Sequence, residues 1–522
     1  MGRSNGHLEV EVKFDLDPDG TTPELSTLGD VKGVGQVRPA GTQRLTATYY
    51  DTPELDLLAH RVTLRRRTGG SDAGWHLKLP ADKARLEVHR PAGRSGSPVP
   101  AELTALIRSL LRDRTPHPVV RLRTTRALTQ LLDDEGRVLA EIADDTVTAT
   151  VQGQQAPTSW RELEVELVDG PVRLLPAVGR RLRRQGAVPA AYPSKLARAL
   201  DGHSPAQPAL PPRPVPNGHR GSRRGVGAGD VVLTHLRAQR DELLAHDPQV
   251  RLDAHDSVHQ MRVATRRLRS ALATFRPLFT PDATTALRAE LAWLAAVLGA
   301  ARDAEVLRDL LTAELTALPE HLRHGPIAER ITTDLDQAYR TAHAHAVGEL
   351  DGPRYLALLS ALDAFVADPP FARPARRRAD RQIPALIHRA AARVKRELDA
   401  ARAEPDLDAR ELRSHEVRKA AKRARYAAEA VTSLLGAHAK ALAKHMRTVQ
   451  ETLGSHQDAL LARQWLLQAA GQAEAAGEPT FTYGLLYARQ ADGDGDTDAN
   501  LTTAAALLTT STPTWPSKGA RR

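Results

Sequence analysis

The 522-residue chain has no cysteine, which excludes a disulfide framework, a zinc–thiolate site and a thiol nucleophile and suits a reducing compartment. Aromatic residues make up only 4% of it, thin for a protein that stacks on exposed bases, so nucleic acid is a poor candidate partner. No apolar run approaches the roughly 20 residues that span a bilayer. The patterned segment that begins at Leu8 leaves no room for the apolar stretch of a signal peptide. A cytoplasmic protein without a membrane partner is expected. What the chain has in excess is positive charge, 73 Lys and Arg against 63 Asp and Glu, which favours a polyanionic partner.

A chain of this length is expected to hold two or more domains. Residues 205–229, PAQPALPPRPVPNGHRGSRRGVGAG, are rich in Pro, Gly and Arg and contain no acid, and read as an extended basic linker. Before them, short β-rich runs such as LEVEVKF, LTATYYD, RVTLRRR, GWHLKL and WRELEVELV alternate with turn signals. After them almost everything has helical periodicity. The expected layout is an α+β domain over 1–204, the linker over 205–229, an all-α domain over 230–512 and a flexible tail over 513–522.

Strand parity carries the first functional signal. In EVEVK, Glu9, Glu11 and Lys13 share one face and Val10 and Val12 the other, because a strand repeats every two residues. The pattern recurs: Arg65 with Arg67, Lys78 between apolar neighbours, Arg85 with Glu87, Arg121 with Arg123, Glu141 with Asp145, and Glu162 with Glu164 and Glu166. One such strand is an ordinary solvated face. Six or more predict a sheet rolled around a charged interior, with the apolar face outward against helices. Unpaired buried charge is costly, so such an interior must hold ions or a ligand. Paired carboxylates suit Mg²⁺ or Mn²⁺, and Arg and Lys suit phosphoryl oxygens. Together they predict a metal-assisted polyphosphate site, and with no G-x-x-x-x-G-K-[ST] loop it is not a P-loop.

EVEVK, LRRR, GWHLKLP, RLEV, RLR, ADD, ELEVE and PSKLARAL occur in the order found in the CYTH, or triphosphate tunnel metalloenzyme, superfamily, which residues 6–202 resemble. The resemblance implies an eight-stranded antiparallel β-tunnel with flanking helices that hydrolyses triphosphates with Mg²⁺ or Mn²⁺. By position it implies Glu9, Glu11, Glu162 and Glu164 as metal ligands, with Asp145 near the metals. It further implies Lys13, Arg65, Arg67, Lys78, Arg85, Arg121, Arg123 and Lys195 as the triphosphate clamp. Glu87, Glu141 and Glu166 share these faces as functional groups or as counter-charges, and Lys195, outside any strand, competes with a plain surface lysine. Tripolyphosphate, nucleoside triphosphates and thiamine triphosphate all satisfy this reading. Two alternatives stay open, a non-catalytic polyphosphate-binding or granule-associated protein and a class IV-type adenylate cyclase.

The helical half repeats itself. VHQMRVATRRLRSAL (258–272) aligns with SHEVRKAAKRARYAA (414–428) at an offset of 156, and LGAARDAEVL with LGSHQDALLA farther on. Val258, Met261, Leu268, Leu272 and Phe275 form an apolar stripe, with His259, Arg262, Arg266 and Arg269 in a basic stripe beside it. The second copy places His415, Arg418, Lys422 and Arg425 likewise, and Lys440, Lys444 and Arg447 form a further stripe. One basic stripe is usually a solvated face. Two, packed together by a pseudo-two-fold, would line a groove for a long polyanion. Residues 230–512 resemble the CHAD (conserved histidine α-helical) domain, which implies binding of inorganic polyphosphate. His259 and His415 are then either phosphate donors or histidines of the groove wall.

Overall fold

The computed structural model describes residues 6–17, 23–81, 84–94, 96–201, 225–453, 456–492 and 497–510. The chain divides into two compact units, a β-rich N-terminal one and a helical C-terminal one. Most of the expected linker and the whole of the expected tail lie outside the described residues. Helix Ala228–Arg251 starts two residues inside the expected linker.

The N-terminal unit holds one antiparallel sheet of ten strands: β1 (Gly6–Glu9), β2 (Glu11–Leu16), β3 (Gln36–Asp51), β4 (Thr63–Thr68), β5 (Gly74–Ala81), β6 (Ala84–Pro91), β7 (His117–Leu132), β8 (Val138–Val151), β9 (Thr158–Leu167) and β10 (Val188–Pro189). Their order is β1-β6-β5-β4-β3-β7-β8-β9-β2-β10. β1 and β2 sit near opposite ends of that order, yet only Val10 separates them in the chain. One segment therefore pairs with β6 on one side and β9 on the other, and the sheet closes into a barrel.

The count of ten corrects the expected eight. The single strand anticipated at LEVEVKF is broken at Val10, where it changes partners, and the two-residue β10 adds an edge to β2. Each remaining predicted run is a strand.

The outer face is apolar where helices cover it. Phe14, Leu16, Ile142, Leu163 and Val165 pack with Leu174, Leu175, Val178 and Leu182 of helix Leu174–Arg184. The interior is divided along the barrel axis. One end is filled by Tyr49, Val120, Leu122, Val147, Ala149 and Trp160 against Leu196, Ala199 and Leu200. The rest is charged.

In the C-terminal unit the two repeated segments lie on helices Ser257–Thr274 and Leu407–Ala430, which pack against each other. Val258, Met261, Leu268, Leu272 and Phe275 are all buried, as the stripe predicts. The apolar seam thus orients the basic stripe beside it.

Candidate functional site

Register decides which side chains meet inside the barrel, because residues paired across neighbouring strands project to the same face. Glu9 pairs with Arg85, Glu87 with Lys78, His76 with Arg65, and Arg65 with Tyr49. Around the other wall Arg126 pairs with Asp145, Asp145 with Glu162, Lys13 with Glu164, and Glu11 with Glu166. These faces enclose a cavity of about 160 Å³, walled by Glu9, Glu11, Lys13, Arg65, Arg67, Lys78 and Arg85 of the predicted set, together with Glu164 and Lys195. Asp72, Glu87, Arg126 and Glu166 complete its charged lining.

Charges of both signs interlock there. Lys78 donates to Glu9 at 2.5 Å, and Lys13 reaches Glu164 at 2.5 Å and Glu11 at 3.1 Å. Arg126 forks onto Asp145 at 2.8 and 2.6 Å and touches Glu164 at 3.0 Å. Arg65 lies 3.4 Å from the Tyr49 hydroxyl and 3.7 Å from Glu87, and Arg67 contacts Asp72. His76 bridges Glu87 at 2.8 Å and the carbonyl oxygen of Asp72 at 2.9 Å, fixing Glu87 from behind.

Protonation is uneven across these groups. Burial, reinforced by the hydrogen bond to Glu87, pushes Glu9 up to about 8 despite Lys78. Glu87 is held low against its own burial by its bonds to His76 and Glu9 and by Lys78 and Arg65. The pair thus shares one proton, carried on Glu9. Burial raises Glu166 too, as does its crowding by Glu11, Glu164 and Glu87, with Lys78 opposing. Burial, then Arg65 and Arg126, depress Arg67 to about 9. Carboxylates in excess on one side and crowded guanidinium groups on the other fit a divalent cation with oxygen ligands next to a phosphate.

Lys195 opens the short helix Lys195–Ala199, whose first turn is capped by Ser194 accepting from the Ala197 amide at 3.1 Å. It is buried, not a surface lysine, and its ammonium stands 3.0 Å from Asp145 and 2.7 Å from both Glu162 and Glu164. Those three carboxylates offer oxygens all within 4.8 Å of one another, a spacing that could hold a metal ion. With Lys195 and Arg126 in place they form a charge-compensated cluster. Asp145 and Glu162 therefore lie beneath the cavity wall, and Glu164 alone of the three reaches it.

Two predicted clamp residues are not brought to the cavity. Arg121 and Arg123 are exposed on the outer face, paired in register with Thr48 and Thr46. The cause is the apolar plug: at this end of β7 the inward residues are Val120 and Leu122, so the charged face turns to solvent. Four residues on from Leu122, with the same parity, Arg126 enters the charged part of the barrel. It holds the place in the charged lining that the RLR motif suggested for Arg121 and Arg123. Arg126→Ala should lower kcat/KM for a triphosphate about ten- to hundredfold, the loss of one or two charge-assisted hydrogen bonds. Arg121→Ala and Arg123→Ala should stay within about twofold of wild type, as exposed charges do. Steady-state kinetics of the three variants check this.

In the helical unit a cavity of about 450 Å³ is lined by Arg418, Lys422, Arg425 and Arg447 with Gln450 and Glu451. Burial, then the charges of Arg266, Arg418, Arg425 and Arg262, depress Lys422 to about 7, which places the stripes of both repeats around one spot. Arg262 reaches Asp303 at 3.1 Å across Gly299, yet its Nε and those of Arg418 and Arg425 are buried without a hydrogen-bond partner among the described residues. His259 and His415 are half-buried, and burial followed by neighbouring Arg302 and Lys419 respectively lowers them, leaving neutral rings at pH 7. Arg269 is exposed, as are Lys440 and Lys444, which stand outside the cavity that Arg447 of the same helix lines.

The chain thus carries a closed antiparallel β-barrel with a charged interior and a separate all-helical unit. The CYTH domain model matches residues 7–199 and the CHAD domain model residues 234–467. The chain belongs to the proteins that join a CYTH domain to a CHAD domain. It is 40% identical over 505 residues to an uncharacterised protein of Mycobacterium tuberculosis, covering 93% of each chain. It is 42% identical over 86 residues to the thiamine-triphosphatase of Homo sapiens, 16% of this chain and 33% of that protein. The crystal structure of the CHAD domain from the plant Ricinus communis is similar at 26% identity and a TM-score of 0.44, over 56% of this chain and 98% of that one. Among the described residues no helix is long and apolar enough to cross a membrane.

Proposed function

We propose that the barrel hydrolyses triphosphates with Mg²⁺ or Mn²⁺ and that the helical unit binds inorganic polyphosphate, in the cytoplasm. The observation that carries the first part is the closed interior in which Glu9, Glu11, Glu164 and Glu166 face Lys13, Arg65, Arg67, Lys78 and Arg126. The carboxylates would hold the cation, which when bound supplies charge neutralisation and a water of lowered pKa. Arg65, Arg67 and Arg126 would fork onto phosphoryl oxygens, and Lys13 and Lys78, now bonded to Glu164 and Glu9, would turn to phosphate once those carboxylates serve as ligands. Lys195 keeps Asp145, Glu162 and Glu164 compensated, so the wall stays rigid when substrate leaves.

The test is one assay. Purified protein with Mg²⁺ or Mn²⁺ is offered tripolyphosphate, ATP and thiamine triphosphate, and phosphate, pyrophosphate and cyclic AMP are all quantified. Phosphate as the main product supports hydrolysis; cyclic AMP with pyrophosphate would sink it in favour of a cyclase.

The polyphosphate reading is supported by cations that crowd one another around the Lys422 cavity and by the Nε atoms of Arg262 and Arg418, which have no hydrogen-bond partner among the described residues. It predicts a pH dependence whose sign follows from Lys422. With its pKa lowered to about 7 the ammonium is half-discharged at neutral pH. A polyanion favours the charged form, so binding takes up a proton above pH 7 and affinity rises as pH falls through 8 to 6. Calorimetry of polyphosphate binding in buffers of different ionisation enthalpy measures that uptake, and Lys422→Ala should abolish it.

A further inference from the structure

The barrel's seam is incomplete where it closes. β1 stays with β6 as far as the Glu9–Arg85 pair, and beyond Val10 the chain pairs with β9 instead. The wedge left between Ala84–Arg85 and Val12–Phe14 is roofed by helix Leu174–Arg184 and by the segment 189–193. It encloses about 530 Å³, against about 160 Å³ for the tunnel cavity. Glu9, Glu11, Lys13 and Arg85 line both spaces, so a ligand held in the tunnel has the wedge beside it.

The wedge is walled unlike the tunnel. Leu175, Pro176, Pro189 and Pro193 give it apolar surface, and Tyr192 gives it a flat one. The Tyr192 hydroxyl is bonded to Asp201 and the Arg198 guanidinium lies 6.0 Å from its ring, which fixes the ring's orientation. Arg85 ties the lip by donating to the Pro193 carbonyl oxygen at 3.4 Å. An inorganic triphosphate has no use for apolar and aromatic walls; a flat ring stacks on them. Lys13, Arg85 and Arg183 outnumber Glu9 and Glu11 in the same lining, which makes the wedge unfavourable to a cationic ring.

The geometry points to the wedge as the seat of an uncharged, flat organic group carried on the triphosphate, as in a nucleoside triphosphate. This rests on the tunnel being the triphosphate site. Calorimetry on the full-length protein with Mg²⁺ tests it, using the β,γ-imido analogue of ATP and imidotriphosphate so that turnover does not enter. Tyr192→Ala and, independently, the exposed Pro176→Trp should each weaken the ATP analogue about tenfold and leave imidotriphosphate unchanged, with Tyr192→Phe retaining affinity. Thiamine triphosphate should displace the ATP analogue less well than ATP does. Equal losses for both ligands, no loss for either, or stronger displacement by thiamine triphosphate would overturn the inference. A wild type that binds imidotriphosphate but not the ATP analogue overturns it alone. A wild type that binds the ATP analogue yet releases no phosphate from ATP itself overturns only the hydrolytic reading.

Discussion

Glu9→Gln combined with Glu11→Gln should cut triphosphate turnover by more than about a hundredfold, since even residues behind metal ligands cost ten- to hundredfold when changed and these would be ligands themselves. The neutral amide is a poor donor for a hard cation. The fold should survive. In the metal-free protein Glu9 carries the proton it shares with Glu87, so an amide of the same shape replaces a group that is already neutral. Unchanged circular dichroism and melting with lost activity is the expected pair of results; activity retained at ordinary metal concentration would take these carboxylates out of the mechanism. The shared proton adds a pH signature. A cation must displace it, so half-saturating Mg²⁺ should fall as pH rises from 7 to 9, through the raised value of about 8. In Glu9→Gln that dependence should flatten.

The closed barrel was legible because alternation survives in nearly every strand. EVEVK keeps its charges on one parity, as do Arg65 with Arg67 in VTLRRR and the three glutamates of RELEVEL, and the structure turns that parity inward while Arg66 and Arg161 take the opposite one. What alternation cannot report is where the interior changes character. Along β7 the inward residues pass from Val120 and Leu122 in the apolar plug to Arg126 in the charged part, so a rule of charges inward fails at one end of the same strand. The plug is built partly by Leu196, Ala199 and Leu200, distant in sequence, and no local pattern announces it. Reading RLRTTR on both parities, with Asp145 sought as the partner of Arg126, would have exposed the alternative.

Other misses have similar causes. The first strand's break at Val10 leaves the alternation intact, because the chain changes partners without changing face. The extension of β3 back to Gln36 is masked by Pro39 and Gly41, where the pairing with β7 slips. Lys195 was recognisable only by resemblance, since its three carboxylate partners come from β8 and β9. In the helical unit the repeat falls on helices Ser257–Thr274 and Leu407–Ala430. The depth of each residue depends on helix packing that the period does not report, which leaves Lys422 half-buried and Arg269 and Lys440 exposed.

Neutralising Arg262, Arg266, Arg418 and Lys422 together should weaken binding of long-chain polyphosphate to the full-length protein by at least about a hundredfold, given charge-assisted contacts of roughly 1.5–3 kcal/mol each and incomplete additivity. The four belong to both repeats, and Lys422 feels Arg262, Arg266 and Arg418 directly. Among the described residues Asp303 is the one carboxylate paired with any of the four, so a polyanion both gains contacts and relieves repulsion. The salt dependence should change with it. Each neutralised phosphate releases about 0.7 counterion along a flexible polyanion, so the slope of log K against log salt should become shallower by about three. Removing like-charge repulsion should leave the variant no less stable in thermal melting, which separates a binding defect from an unfolded domain. Hydrolysis in the barrel should persist, because none of the four lines its cavity. An unchanged polyphosphate isotherm, or equal affinity for duplex DNA at physiological salt, would reduce the two stripes to a solvated basic surface.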